Sequence, residues 1–231
     1  MTVQPPAPDD RRAVLRDSIG VSVATGAYGI SFGAISAAGG LTLPQTLALS
    51  LLMFSGGSQF GLVGVVAGGG SAWAGAATAV MLGARNALYG LRLAPLLQLR
   101  SWRRALASQV IIDESSAMSM GRASQATARL GFYATGIGVF VLWNLGTAIG
   151  AIGASALSDP AVLGLDAAAP AAFLALLAPR LRGREPWAIA AAAAVLAVAT
   201  TPLVPPGVPV LVAAAFGVAV ALWPRNDRRT G

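Results

Sequence analysis

AWAGAATAVMLGARNALYGLRLAPLL, residues Ala72–Leu97, is long and apolar enough to cross a bilayer, yet it carries Arg85 near its middle, Asn86 beside it and Arg92 two turns on. A spanning helix needs roughly 20 apolar residues. A guanidinium at its centre costs about 2.5 to 3.5 kcal/mol on insertion scales, so it marks a substrate or ion pathway, or a buried partner carboxylate. The stretch therefore predicts a membrane helix bundle whose interior handles a polar solute.

The whole chain agrees with this reading. Of its 231 residues 55% are hydrophobic and only 11% charged, against about 25% charged in soluble domains. The predicted fold class is all-α: one polytopic transmembrane bundle of about seven spans, within a range of six to eight, some of its helices glycine-broken or re-entrant. There is no cysteine and no histidine. Disulfides, thiolate metal sites, cysteine nucleophiles and imidazole relays are excluded, and neither a metal nor a cofactor is expected.

The net charge of +7 comes from 16 arginines without a lysine. They fall in short clusters between apolar runs: Arg11, Arg12 and Arg16; Arg100, Arg103 and Arg104; Arg122 and Arg129; Arg180, Arg182 and Arg184; Arg225, Arg228 and Arg229. Nucleic-acid binding needs a basic face on a soluble fold, whereas this spacing is that of cytoplasmic loops under the positive-inside rule. Residues 1–12 (MTVQPPAPDDRR) are Pro-rich, charged and without an apolar core, and read as a disordered cytoplasmic tail. Residues 13–224 form the single membrane domain, and 225–231 a short basic cytoplasmic tail.

Apolar segments predict helices at about 17–40, 43–66, 72–97, 104–121, 130–154, 167–180, 187–203 and 207–223. From Arg122 onward the charges alternate cleanly, with Asp159 and Asp166 outside, Arg180–Arg184 inside and the Pro205–Pro209 turn outside. The first half is less regular: if the segments at 17, 43 and 72 all cross, Arg100–Arg104 lands on the wrong side. Either the polar segment 104–121 (RALASQVIIDESSAMSMG) crosses back, or an earlier segment is broken or re-entrant; 104–121 also fits a helix lying on the cytoplasmic face.

Gly26–Gly40 (GAYGISFGAISAAGG), Ser55–Gly61 (SGGSQFG) and Gly83–Gly90 (GARNALYG) set glycines beside polar groups at membrane depth. Transporters unwind helices at such places and offer backbone groups to a substrate; close helix packing is the other use of the same glycines. Helical spacing puts Ser55, Ser58 and Gln59 on one face, Arg85, Tyr89 and Arg92 on another, and Gln109, Asp113 and Ser116 on a third. Such stripes belong in the bundle interior. Asp113 or Glu114 is then the counter-charge for Arg85, or the two acids sit at the surface and pair with Arg103 or Arg104.

Five blocks in order, GISFGAISAAGG, S-x-x-x-FSGGSQF (Ser50–Phe60), RNALYGLRLAPLL (Arg85–Leu97), DESSAM (Asp113–Met118) and LWNLGTAIGAIG (Leu142–Gly153), continued by LGLDAAAPAAFLALLAP (Leu163–Pro179), resemble the AzlC family of branched-chain amino acid permeases. The resemblance implies a secondary exporter of Leu, Ile, Val and Met in the bacterial inner membrane, with both termini cytoplasmic and a small AzlD-type membrane protein as partner. It carries over Phe32, Gly33, Ser55, Gly56, Gln59, Phe60, Arg85, Tyr89, Gly90, Asp113, Glu114, Trp143, Gly146 and Thr147. One departure is Gly83 and Asn86, where the family often has Asn and His; Asn86 does not serve as a proton carrier.

A zwitterionic amino acid needs a cation, an acceptor cluster and an apolar wall. The expected substrate site is Arg85 for the carboxylate, assisted by Ser55, Gly56 and Gln59, with Asn86 and Tyr89 alongside. Asp113 or Glu114 would take the ammonium or the coupling proton, and Trp143 and Phe60 form the wall, unless these aromatics only pack. No catalytic residue is expected: adjacent acids on a helix point about 100° apart and do not act together. The competing function is a membrane channel or a non-transporting scaffold. No phosphate-binding glycine loop with its lysine is present, so energy from the proton-motive force is expected rather than from nucleotide.

Overall fold

Three of the helices begin where the sequence supplies side-chain caps. A computed structural model describes residues 11–120, 122–156, 181–205 and 207–223, with 174, 177 and 178. Among these the fold is all-α, with α1 (Arg11–Ala38), α2 (Leu43–Leu52), α3 (Gly56–Ala67), α4 (Ala72–Leu97), α5 (Ser101–Ser108), α6 (Asp113–Ser119), α7 (Gln125–Ser155), α8 (Arg184–Thr200) and α9 (Val208–Leu222). Thr42 starts α2 through a capping box with Gln45, and Ser71 and Ser124 accept from Ala74 N and Thr127 N to start α4 and α7.

The axis of the bundle is a parallel pair, α1 against α7. A Cβ on Gly26 would strike Leu142, one on Gly33 would strike Thr147 O, and one on Gly29 would stand 2.7 Å from Trp143 O. Gly146 and Gly150 return the contact to Gly26 and Ile30. Small residues let the two backbones approach this closely, which in lipid is a main source of helix association. α1 is therefore continuous to Ala38, and Gly26, Gly29 and Gly33 take the packing use rather than the unwinding one that the sequence also allowed; the chain turns at Gly39–Gly40. α1 and α7, 28 and 31 residues long, are each long and apolar enough to cross a membrane. α1 takes in Arg11 and Arg12, the last two residues of the expected tail.

The segment expected as one helix over 43–66 is two short helices, broken at Met53–Ser55. The chain leaves α1 at Gly39 and comes back beside it, since a Cβ on Gly39 would lie 3.1 Å from that of Ala67 at the end of α3. α2–α3 thus enters and leaves at the same end of the bundle, reaching only about half its depth at 1.5 Å per residue. α4 then runs back along α3: Gly75 meets Leu62, Gly61 meets Leu82 and Thr78, and Gly57 meets Arg85. It spans the bundle without interruption, so the expected break in Gly83–Gly90 is absent.

The segment expected at 104–121 is also a broken pair, α5 and α6, with residues 109–112 between them. It too starts and finishes at one end. Arg129 Nη2 donates to Leu97 O at 2.7 Å and Gln125 Nε2 to Leu96 O at 3.0 Å, tying the end of α4 to the start of α7. These donors also satisfy carbonyls that a helix terminus leaves unpaired. The long helix followed by a broken hairpin (α1, α2–α3) is thereby repeated in the opposite direction by α4, α5–α6.

The two hairpins meet tip to tip inside the bundle, joined by Gln109, while Gln59 ties α3 to α2 within the first hairpin. Gln59 Nε2 donates to Leu49 O (3.1 Å) and Ser50 O (3.5 Å), while Gln109 Nε2 donates to Leu51 O (2.8 Å) and Leu52 O (3.4 Å). Together they cover the last four carbonyls of α2. An orphan carbonyl away from water costs about 1–3 kcal/mol, which is what lets a helix stop at this depth.

α8 and α9 form a hairpin beside α3 and α4, with Gly207 against Val65 and Ala74. Arg11–Arg16, Arg100–Arg104 and Arg122–Arg129 all fall at one end of the bundle and Gly207 at the other. The irregular charge pattern of the first half disappears because α2–α3 does not cross. Of the helix expected at 167–180 only residues 174, 177 and 178 are described, and the acids Asp159 and Asp166 and the 225–231 tail lie outside the described residues.

Candidate functional site

The site lies where the two hairpin tips, α1, α4 and α7 come together. Arg85 projects from the middle of α4 and Asp113 is the first residue of α6; Arg85 Nη2 stands 3.0 Å from Asp113 Oδ2. Each side chain is 30% exposed, and both line a partly open cavity of about 50 Å³. Gly57 makes room for the guanidinium, since a Cβ there would stand 2.9 Å from Arg85 Nη2. Of the two sequence-level options for the acids, Asp113 takes the interior one.

Thr25, Tyr28, Phe54, Ser55, Ile112, Glu114, Val139 and Trp143 complete the wall with Gly56 and Asn86. Polar atoms of this lining buried without a hydrogen-bond partner include Tyr28 Oη, Arg85 Nε, Asn86 Oδ1 and Trp143 Nε1. Each forfeits about 1–3 kcal/mol in that state. Two donors, a phenol and an amide oxygen around one cavity are groups able to bind a polar ligand. A volume of about 50 Å³ holds a few waters at the 10–15 Å³ each requires.

Arg85, Asn86, Ser55, Gly56, Asp113, Glu114 and Trp143 are thus brought together as the sequence proposed. Three others stand apart. Gln59 is fully buried and holds α2, as described above. Phe60 lies behind the cavity, packed on Tyr28, Phe32 and Trp143 with ring centroids 5.2, 5.5 and 6.3 Å away. Tyr89 sits one turn along α4, half-buried and outside the cavity lining. The polar stripes are also less regular than helical spacing implies. Ser55 precedes α3 and accepts from Ser58 Oγ at 3.2 Å, Gln109 lies in the break before α6, and Arg92 is exposed.

Sequence reasoning missed Thr25 and Tyr28, although the GAYG stretch (Gly26–Gly29) held the signal, a tyrosine among packing glycines. Ile112 and Val139 carried none, being ordinary apolar residues until the fold aims them inward. Gly83, the departure from the family pattern, leaves space opposite Ser58: a Cβ there would lie 3.1 Å from Ser58 Oγ.

Broken helices that meet around an ion-paired polar cavity, inside an apolar helical bundle, are an arrangement that membrane transporters use. A family model described as AzlC protein matches residues 20–157, and the chain belongs to that family. Membership carries a membrane-associated role related to branched-chain amino acid transport. Comparison with curated proteins and with solved structures gave no match.

Proposed function

We propose that this chain is a bacterial inner-membrane secondary transporter that exports Leu, Ile, Val and Met, driven by the proton-motive force and working with a small AzlD-type membrane subunit. The observation that carries the reading is the Arg85–Asp113 pair in a cavity lined by unpaired polar atoms. A zwitterion matches that pair charge for charge: its carboxylate takes Arg85, and its ammonium takes Asp113 with Asn86 Oδ1 beside it. Tyr28 Oη and Trp143 Nε1 donate to the carboxylate, and Phe54, Ile112 and Val139 receive the aliphatic side chain.

The empty carrier neutralises itself through the same pair, so it can close without leaving a lone charge in low dielectric. A pocket of about 50 Å³ is too small for a whole amino acid, which enters only when the hairpin tips part, and this supports a carrier over a channel. Asp113 or Glu114 carries the coupling proton, there being no imidazole in the chain. In this reading α1, α4, α7, α8 and α9, with the apolar segment expected as a helix at 167–180, make six crossings of the membrane, and α2–α3 and α5–α6 are re-entrant from opposite faces. The basic end of the bundle is then cytoplasmic, with both termini on that side.

The test is efflux of leucine, isoleucine, valine and methionine from cells preloaded with dipeptides, with and without an AzlD-type partner, for wild type and Arg85→Ala. Efflux that needs both the partner and Arg85 supports the proposal. Absence of efflux of all four from cells holding the protein in their membrane overturns the branched-chain assignment.

A further inference from the structure

Asn86 occupies a place that the ion pair does not account for. Besides the inner cavity, it lines two larger clefts: one of about 420 Å³ between α4 and α5, and one of about 430 Å³ beside the hairpin tips. Among the described residues it is the one side chain common to all three spaces. Its Oδ1 is buried without a partner. An amide oxygen left that way at a junction of cavities is an acceptor that whatever passes will meet.

The two clefts differ in what lies along them. The α4–α5 cleft runs from Asn86 past Ser108 to Arg104. Arg104 and Ser108 are one turn apart on α5 and share a face, and the cleft's far end, at Leu97, is the basic end of the bundle. The cleft beside the tips contains no charged group; Val80 on its rim is 72% exposed on the outer surface. An amino acid moving in from water needs polar footholds at intervals and a cation to draw its carboxylate. The α4–α5 cleft supplies both.

We infer that the α4–α5 cleft is the aqueous route between the Arg104 end of the bundle and the Arg85–Asp113 cavity, with Asn86 as its inner gate. This rests on the transport reading above for its solute, a small zwitterionic amino acid, but the route itself is a statement about water access. Arg104 collects the carboxylate, Ser108 hands it inward, and Asn86 Oδ1 accepts from the ammonium at the constriction. The carboxamide must turn aside before the solute reaches Arg85. Asn86 is accordingly a gating and positioning residue, set on the same helix as Arg85 but one residue round it.

The natural absence of cysteine makes a direct test available in the full-length protein, in inside-out vesicles, with a charged membrane-impermeant methanethiosulfonate. Single cysteines are placed at Ala94 in the α4–α5 cleft, at Val80 on the outer surface, and at Thr25, which lines the inner cavity and neither cleft. Complete reaction of each thiol in SDS verifies its presence. The expected result is at least tenfold faster modification of Ala94→Cys than of Val80→Cys, slow modification of Thr25→Cys, and a tenfold rise in the Thr25→Cys rate when Asn86→Ala is added. Equal rates at Ala94→Cys and Val80→Cys, or a Thr25→Cys rate indifferent to Asn86→Ala, would overturn the inference. These rates need no transported substrate. Protection of Thr25→Cys by leucine separately reports on the substrate reading, so failure of one is not failure of the other.

Discussion

Arg85 and Asp113 meet at 3.0 Å although one sits mid-way along a continuous helix and the other opens a short helix on the far side of a chain break. The contact joins α4 to the tip of the α5–α6 hairpin, so it is at once a structural clamp and the proposed polar core of the site. Removing one partner leaves the other charge unmatched in the interior.

That double role predicts a split between stability and activity. Arg85→Gln or Asp113→Asn alone loses transport and destabilises the protein by about 2 kcal/mol. The Arg85→Gln/Asp113→Asn double variant recovers much of that stability, because no lone charge remains, while transport stays absent. Thermal unfolding in detergent, beside an efflux assay, distinguishes this from a site in which each residue acts alone.

The α1–α7 contact predicts a sharp position dependence for glycine replacement. Gly33→Ala drives a methyl into Thr147 O, and overpacking of this kind costs about 1–3 kcal/mol. Gly20→Ala on the same helix meets nothing within 4 Å and gains up to about 1 kcal/mol from helix propensity. Equal melting temperatures for the two variants would contradict the packing described here.

Gln59 and Gln109 should behave as a matched pair of caps. Replacing either by leucine strips carbonyls at the end of α2 of their donors, at a cost of about 1–3 kcal/mol. Glutamate, which keeps the shape but lacks the N–H donors, should be at least as harmful. Hydrogen exchange concentrated at Leu49–Leu52 in the variants is the measurement that checks the assignment.

Asn86 touches the cavity that holds Arg85, so a titratable side chain there should make transport sensitive to pH. With Asn86→His, efflux falls as pH decreases between about 8 and 5, because imidazole gains a positive charge beside Arg85 as it binds a proton. The sign follows from repulsion of the substrate ammonium and of the guanidinium. The wild-type amide does not titrate, and its pH profile should lack that limb.

Some of this was readable from residue order alone, and for local reasons. Ala72–Leu97 is one helix because apolar residues run unbroken from the Ser71 cap, and its bounds match the expectation. The break at Met53–Ser55 adjoins SGGSQFG, where paired glycines weaken a helix, although Gly56 and Gly57 themselves open α3. The same argument failed for Gly26, Gly29 and Gly33 and for Gly83–Gly90. Glycine is as suited to a close helix crossing as to a break, and what it faces is decided by a partner helix far away in sequence.

The sequence by itself determined that the chain is an apolar helical bundle, that Arg85 sits at its middle, and that a carboxylate near 113 was available to match it. Those follow from composition and from the cost of a charge in an apolar helix, both local properties. Only the tertiary structure decided that 43–66 and 104–121 fold back at half depth, that their tips meet, and that Tyr28 joins the site while Gln59, Phe60 and Tyr89 stand outside it. The physical reason is that a hairpin tip is stable at that depth only when donors from elsewhere, Gln109 for α2 and Arg85 for Asp113, arrive to satisfy it.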